Sequence, residues 1–474
     1  MTKRAPWWRL LAVLCAFALV AAACGDDDDG DTAAVEDDGG DEAAGDDGGD
    51  EAAGDDGGEI AEGVIEFASG ASVDVGECPE DWEDTGGITD DEIRLAISLP
   101  QSGQLAAFGA IGEGMQIYFD HVNATDPVDG KSITLVARDD AYEPARTQAN
   151  VEELIETENI FAFAFIIGSP NNGQVRPILD AECVPQLFNA TGLPPWGDPA
   201  NFPWTIGGLL SYDTEANLWC SHIAEELGEG ATVAGLFANN DFGASYQTVL
   251  EACAEAGTID LVESLTHEAA AADITNEMTT LAASGADAFV LGSTAAFCPQ
   301  AMAAVAQSPW EPLTLISNTC ASIASFFSPV DPAGQGVRMV ANNKEVTDQA
   351  FADDPAVQEA ISIIEAAGAD PFAGSVSTGI LFGMTMEHVL REAAASEGGL
   401  SRTSLMEAVW NMDYAHPLLR DGITMQTDGA NDAYIIEGAY IVEYQAPAAE
   451  GESGSYTTVS DLISVEGETG SFGG

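Results

Sequence analysis

From residue 92 onward short apolar runs alternate with amphipathic stretches, and the cycle restarts once. The first cycle reads "EIRLAISLP" (92–100) as a strand, 110–123 as a helix, "SITLVARDD" (132–140) as a strand and "EPARTQANVEELIE" as a helix. "FAFAFIIG" (161–168) follows as a buried strand, "NNGQVRPILDAE" as a helix and "VPQLFNA" (184–190) as a strand. The second cycle places helices over 213–227, 243–256, 273–284 and 298–307 among the strands "TVAGLFANN", "IDLVESLT", "DAFVLGS" and "LTLISN". Strands separated by helices must pair in parallel, with the helices covering both sheet faces. The fold class is therefore α/β, with two doubly wound parallel-sheet lobes.

The remainder carries a strand-like "GVRMVANN" (336–343), three helical runs between Asp354 and Met412 and a strand pair "AYIIEGAYIVEY" (433–444). These elements are too few for a third sheet, so the chain is expected to cross back and complete the first two. Lobe 1 is then 92–209 plus 344–429, lobe 2 is 210–343 plus 430–446, and 447–474 reads as a flexible Gly- and Ser-rich tail. Residues 60–91, with Cys78 and Trp82, form a transitional segment.

At the other end, Lys3, Arg4 and Arg9 precede an apolar run from Leu10 to Ala23. A membrane span needs about 20 apolar residues, so the run is read as a signal peptide over 1–23. Three alanines before Cys24, with Gly25 after it, resemble the lipobox of bacterial lipoproteins, which makes Cys24 the lipidated first residue of the mature chain. Cys15 lies behind the bulky Leu14, a poor cleavage position. "GDEAAGDDG" then occurs at 40–48 and again at 49–57. Such composition cannot bury a core, and residues 24–59 are expected to form a disordered acidic tether. The competing reading, an acidic tail for a basic partner or for calcium, lacks a calcium-loop pattern.

Acidic residues number 80 against 13 Lys plus Arg, a formal charge of −67. Nucleic acid is excluded as a partner, because phosphate neutralisation needs a basic face. So acidic a protein implies solubility or a saline habitat rather than a ligand. Six cysteines remain outside the leader, and an even number in an exported chain points to disulfides. Six cysteines allow 15 pairings. Locality selects Cys220 with Cys253, on consecutive helices, and Cys298 with Cys320, after consecutive strands, leaving Cys78 with Cys183. No CxxC spacing is present and the five histidines are scattered, so no metal is expected.

In open α/β sheets ligands bind beyond the carboxyl ends of the strands. Those ends read "SLPQSG", "IIGSPNN", "FNATG", "ANNDFG", "LGSTAAF" and "ISNTC". Ser102, Ser169, Asn171, Thr191, Thr294 and Thr319 offer hydroxyls and amides to a polar solute. The same residue types also cap helices or satisfy local backbone groups. Phe108 and Phe242 are placed as lids, or as core. Pro170 near the first turn of a helix makes its N-terminus a candidate site for a ligand carboxylate. No GxSxG, P-loop, GxGxxG or HExxH occurs. The reading is a binding protein, not an enzyme, and it needs no cofactor.

In order and spacing, "IRLAISLPQSGQLAAFG" with a helix ending "VNA", "ITLVARDDAYEPARTQANVEELI", "IIGS", "VPQLFNAT" and "NNDFGASYQ" resemble the type I periplasmic substrate-binding proteins of the leucine/isoleucine/valine-binding family. These are extracytoplasmic receptors of ABC importers. The resemblance implies a hinged two-lobed clamp, with crossover strands near 207–213, 342–346 and 427–433. It also implies a monomer that hands a small-molecule solute, an amino acid or related compound, to ABC permease membrane subunits. A lipid would anchor it to the outer face of the cytoplasmic membrane. The family's carboxylate and ammonium contacts in lobe 1 map to Ser169, Ala190 and Thr191. In lobe 2 the family's aromatic and acid are replaced by Thr294 with Ala295 and by Asn318 with Thr319, leaving Asp241 as the nearby acid. The alternative is a ligand-sensing domain for a signalling partner.

Overall fold

The computed structural model describes residues 63–449 and 452–469. The expected signal peptide, the expected lipidation site at Cys24 and the expected acidic tether lie outside these residues. The chain opens with a hairpin of β1 (Val64–Glu66) and β2 (Ser72–Asp74). The first cycle follows as β3 (Glu92–Leu99), α1 (Gly109–Thr125), β4 (Ser132–Asp139), α2 (Pro144–Glu158), β5 (Ala162–Ala164), α3 (Ser169–Ala181), β6 (Gln186–Asn189) and β7 (Thr205–Gly207). The second cycle is α4 (Tyr212–Leu227), β8 (Ala231–Ala238), α5 (Asp241–Glu255), β9 (Ile259–His267), α6 (Thr275–Ser284), β10 (Ala288–Gly292), α7 (Phe297–Gln307), β11 (Leu313–Ile316) and β12 (Arg338–Ala341). Then come α8 (Pro355–Ala366), α9 (Val376–Ala395), α10 (Arg402–Val409), β13 (Asp413–Tyr414), β14 (Met425–Gln426), β15 (Gly438–Gln445), β16 (Ser455–Thr458) and β17 (Ile463–Ser464).

Two sheets organise these elements. One runs β4-β3-β5-β6-β7, all parallel; the other runs β16-β15-β12-β11-β10-β8-β9, with β17 pairing β15. Alternation along β3 explains the first sheet's two-sided core. Ile93, Leu95, Ile97 and Leu99 join a cluster with α1, α8 and α9, whereas Ala96 faces Val151 and Leu154 of α2 and Val175 and Leu179 of α3. In the second sheet Ala234 and Leu236 of β8 face α6 and α7, while Val233 and Phe237 face α4 and α5. We call the two sheets with their helices lobe 1 and lobe 2.

Several expectations are corrected. The stretch 433–444 holds one strand, β15, because 433–437 crosses between lobes and its ladder contact is a bond from the Gln426 N–H to the Ile435 carbonyl. The tail is not wholly flexible: β16 and β17 both pair antiparallel with β15. Tyr456 drives this pairing, burying its ring against Phe327 and Tyr444 and covering what would be an open sheet edge. The second sheet is therefore mixed, since β12 and β15 also pair antiparallel. The strand at 161–168 stops at Ala164, because Phe165 adopts φ 56°, which ends an extended ladder.

Disulfides join Cys78 to Cys183, Cys220 to Cys253 and Cys298 to Cys320, the same pairs that locality selects. Among the described residues no helix is long and apolar enough to cross a membrane.

Candidate functional site

Each sheet has a point where its strand order reverses: between β3 and β5 in lobe 1, and between β8 and β10 in lobe 2. Loops leaving neighbouring strands diverge there and open a crevice at the carboxyl ends. One cavity of about 130 Å³ is lined from both points, by Leu105 and Phe108 after β3, Phe165, Ile167, Gly168 and Ser169 after β5, Phe242 after β8 and Thr294 after β10. A cavity of roughly 150 Å³ accommodates benzene, so this one suits a body of that order.

Its wall is largely apolar. Tyr142, Tyr212, Phe326, Phe382, Leu381, Leu419 and Ile436 add to the phenylalanines already named. Contacts cross from lobe to lobe around it. Leu105, from lobe 1, is buried in the lobe 2 cluster, and Phe108 meets Phe326 edge-on at 6.1 Å. The Ser322 hydroxyl donates to the Gly374 carbonyl at 3.4 Å. Backbone strain collects here too. Of the eight non-glycine residues with positive φ among those described, Tyr142 (64°) and Phe165 (56°) line the cavity and Ala295 (53°) follows Thr294. Such conformations persist only where packing over-determines them.

Of the residues singled out from the sequence, Phe108, Ser169, Ala190, Phe242, Thr294 and Thr319 line this cavity. Four others do not. Ser102 is exposed and donates to Asp139 at 2.7 Å. Asp241 is exposed at the start of α5, outside the cavity wall, and its charge acts on Tyr142, which lines the cavity. Asn171 is fully buried and donates to Thr147 at 2.7 Å. Thr147 in turn donates to Asp140, which also accepts from Ser98 at 2.8 Å. This buried chain fastens the ends of β3 and β4 to α2 and α3. Burial pushes the Asp140 carboxyl up.

Thr191 is also fully buried, its hydroxyl 2.6 Å from that of Ser169 and accepting from the Trp196 indole at 3.1 Å. The Tyr212 hydroxyl joins the same pair. The Thr191 hydroxyl is thus engaged within the wall and holds Ser169 and Trp196 in place. Thr191→Val is expected to lower stability by about 1–3 kcal/mol, the cost of stranding buried donors, and a chemical-denaturation midpoint equal to that of the parent protein would remove this role.

Reading the strand ends alone missed Tyr142, Phe165, Tyr212, Phe326, Asn342, Asn343 and Glu345. Only the crossover position near 342–346 was available as a signal for the last three. Glu345 is 4% exposed, and burial raises its carboxyl to about 7 against the pull of Thr347. A second buried acid, Glu215, stands behind the wall. It accepts from the Tyr246 hydroxyl at 2.6 Å and the Asn318 N–H at 2.7 Å, fixing the 318–319 turn, and burial raises it to about 8. Asn318 and Thr319 themselves line the cavity.

A family model described as periplasmic binding protein matches residues 92–451. The comparison with curated proteins gives no match. Among solved structures, the chain is similar to a branched-chain amino acid ABC transporter protein from Thermus thermophilus with bound valine (18% identity, TM-score 0.69, covering 80% of this chain and 97% of that one). It is likewise similar to a fatty acid ABC transporter substrate-binding protein from Thermomonospora curvata (19%, 0.65, 81% and 96%). A third is an ABC transporter solute-binding protein from Rhodopseudomonas palustris BisB5 in complex with 3,4-dihydroxybenzoic acid (17%, 0.64, 80% and 98%). At these identities the likeness is one of fold.

Proposed function

Because the chain belongs to the periplasmic binding protein family, we propose that its interlobe cavity captures one small organic solute with a compact apolar body and presents it to an ABC permease. The observation that carries this reading is the cavity itself, lined from the strand ends of both sheets. A solute there touches both lobes, so closing them over it adds contacts that the open form lacks. That difference in affinity shifts the population to the closed form, and a permease that docks on both lobes reads the change.

Of the three solved relatives, one holds valine, one holds 3,4-dihydroxybenzoic acid and one is a fatty acid ABC transporter substrate-binding protein. A volume near 130 Å³ favours a branched or single-ring body over a long chain. This modifies the sequence expectation of a polar solute: the polar groups are present, but the wall is mainly aromatic and aliphatic. Delivery at a membrane surface rests on the lipobox at Cys24 and on the acidic tether, which gives the folded part reach. The polar strand-end residues at Ser169, Thr294 and Thr319 orient the solute's polar end.

The test is a thermal-shift and calorimetric panel of valine, isovalerate, isopentylamine, benzoate, benzylamine and octanoate against the purified protein. At 100 times its dissociation constant a ligand adds about 2.7 kcal/mol, so a bound solute is readily seen. Ala190→Phe, which fills the cavity, is expected to abolish the response while leaving the unliganded melting temperature within a few degrees. A response that survives this substitution would place binding elsewhere.

A further inference from the structure

The polar groups in the cavity wall are unbalanced. Among the described residues no Lys, Arg or His lines it, and Glu345 is the one carboxyl that does. Glu345 lies on the crossover just after β12. Thr347 donates its hydroxyl to Oε1 at 2.8 Å, and the Ser377 hydroxyl, in the first turn of α9, lies 3.5 Å from both carboxylate oxygens. The Thr347 N–H also donates to this carboxyl; an ionised carboxylate offers about four acceptor sites, so these donors leave part of that capacity unused. The other ionisable groups facing it do not neutralise it. Asp348 repels its charge, the Tyr456 phenol is held protonated by burial, and the Arg420 guanidinium lies 3.8 Å from Asp348. A buried charge without a partner is costly.

Resting on the reading that the cavity holds a small organic solute, we propose that this solute carries a cationic nitrogen and that Glu345 is its counter-charge. Asn342, Asn343 and Ser375 line the same cavity and supply neutral partners for the remaining N–H groups. The aromatic wall suits an ammonium as well as an apolar body, since ring faces attract cations. A carboxylate would meet only hydroxyls, amides and the partial charge at the N-terminus of α3. The acid comes from the crossover between lobes, so bending at that crossover moves the charge relative to both walls. Pairing with the solute thus bears directly on the open and closed populations.

The pairing has a pH signature. With its carboxyl raised to about 7, Glu345 is protonated in mild acid and ionised above neutrality, whereas an alkylamine stays charged to about pH 10. Amine affinity is expected to rise about thirtyfold from pH 5.5 to 8.5, the loss of one proton from a group of that pKa.

The experiment is calorimetric titration of the purified full chain with isopentylamine against isovalerate and with benzylamine against benzoate, at both pH values, in the parent protein and Glu345→Gln. The amines should bind at least tenfold more tightly than their carboxylate partners at pH 8.5. The variant should lose that preference together with the pH slope. If the variant does not fold, the pH series on the parent protein decides alone. Carboxylates binding as tightly as the amines, or amine affinity flat with pH, would overturn the assignment of Glu345 while leaving the cavity as a solute site. Silence from every solute in the wider panel would remove both.

Discussion

Replacing Gly114 by valine is expected to leave no folded protein. Gly114 lies in "FGAIGEGM", whose glycines are wrongly spaced for dinucleotide binding, and the structure gives it a packing role instead. α1 and α9 cross at Gly114 and Gly379. A Cβ on Gly114 would overlap the Val376 carbonyl oxygen and lie 3.0 Å from the Gly379 Cα, and one on Gly379 would overlap the Ile111 carbonyl oxygen. Backbone is the obstacle on both sides, so no rotamer change relieves the clash. Separating the helices would open the cluster that holds Met115, Phe119, Ile380 and Met386. Overpacking that must displace backbone costs more than the usual 1–3 kcal/mol of core insertions, and we expect a loss above about 4 kcal/mol. Gly173, exposed on α3 with open space around it, is the control. Gly173→Ala should be neutral or gain up to about 1 kcal/mol. Circular dichroism and size exclusion on both variants decide the matter, and a Gly114→Val protein melting within a few degrees of the parent would contradict the helix-crossing account.

The second large effect concerns the Cys78–Cys183 bridge. It closes 105 residues and ties the segment before β3 to lobe 1. In the chain-entropy account a loop of about 100 residues is worth about 4.7 kcal/mol. The Cys183 carbonyl also accepts from the Trp82 indole at 2.9 Å and from Arg402 at 3.4 Å, contacts that survive loss of the sulfurs. Changing both cysteines to serine should therefore lower stability by about 2–5 kcal/mol. The Cys298–Cys320 bridge closes 22 residues, and the same relation makes it worth about 1.4 kcal/mol less. Denaturant midpoints of the two double-serine variants test the order, and equal or reversed losses would show that loop entropy does not govern them.

Local pattern was informative wherever a segment's neighbours were also its partners in space. The strand–helix alternation of 92–316 could be read because the central strands β5, β8 and β10 are buried on both faces and the helices between them on one. The disulfide between α4 and α5 joins consecutive elements, so sequence proximity and spatial proximity coincide. The cavity was only half legible for the opposite reason. Ser169, Ala190 and Thr294 follow strands directly, but Tyr212, Phe326 and Glu345 reach the same wall from the start of α4, a helical turn at Ile323–Phe327 and the crossover after β12. Thr191 shows the converse failure. Its position after β6 is what a ligand contact would have, yet its hydroxyl is already engaged by Ser169 and Trp196.

What the sequence determined by itself was the class of fold and the set of strand ends from which a site could be built, because these follow from periodicity along the chain. What only the tertiary structure decided was which of those strand-end groups remain free, that Tyr456 draws the tail into a sheet, and that an acid from the crossover at 342–346 enters an otherwise uncharged wall. Those outcomes depend on contacts between residues distant in sequence, where packing and hydrogen bonding, not local preference, assign each side chain its partner.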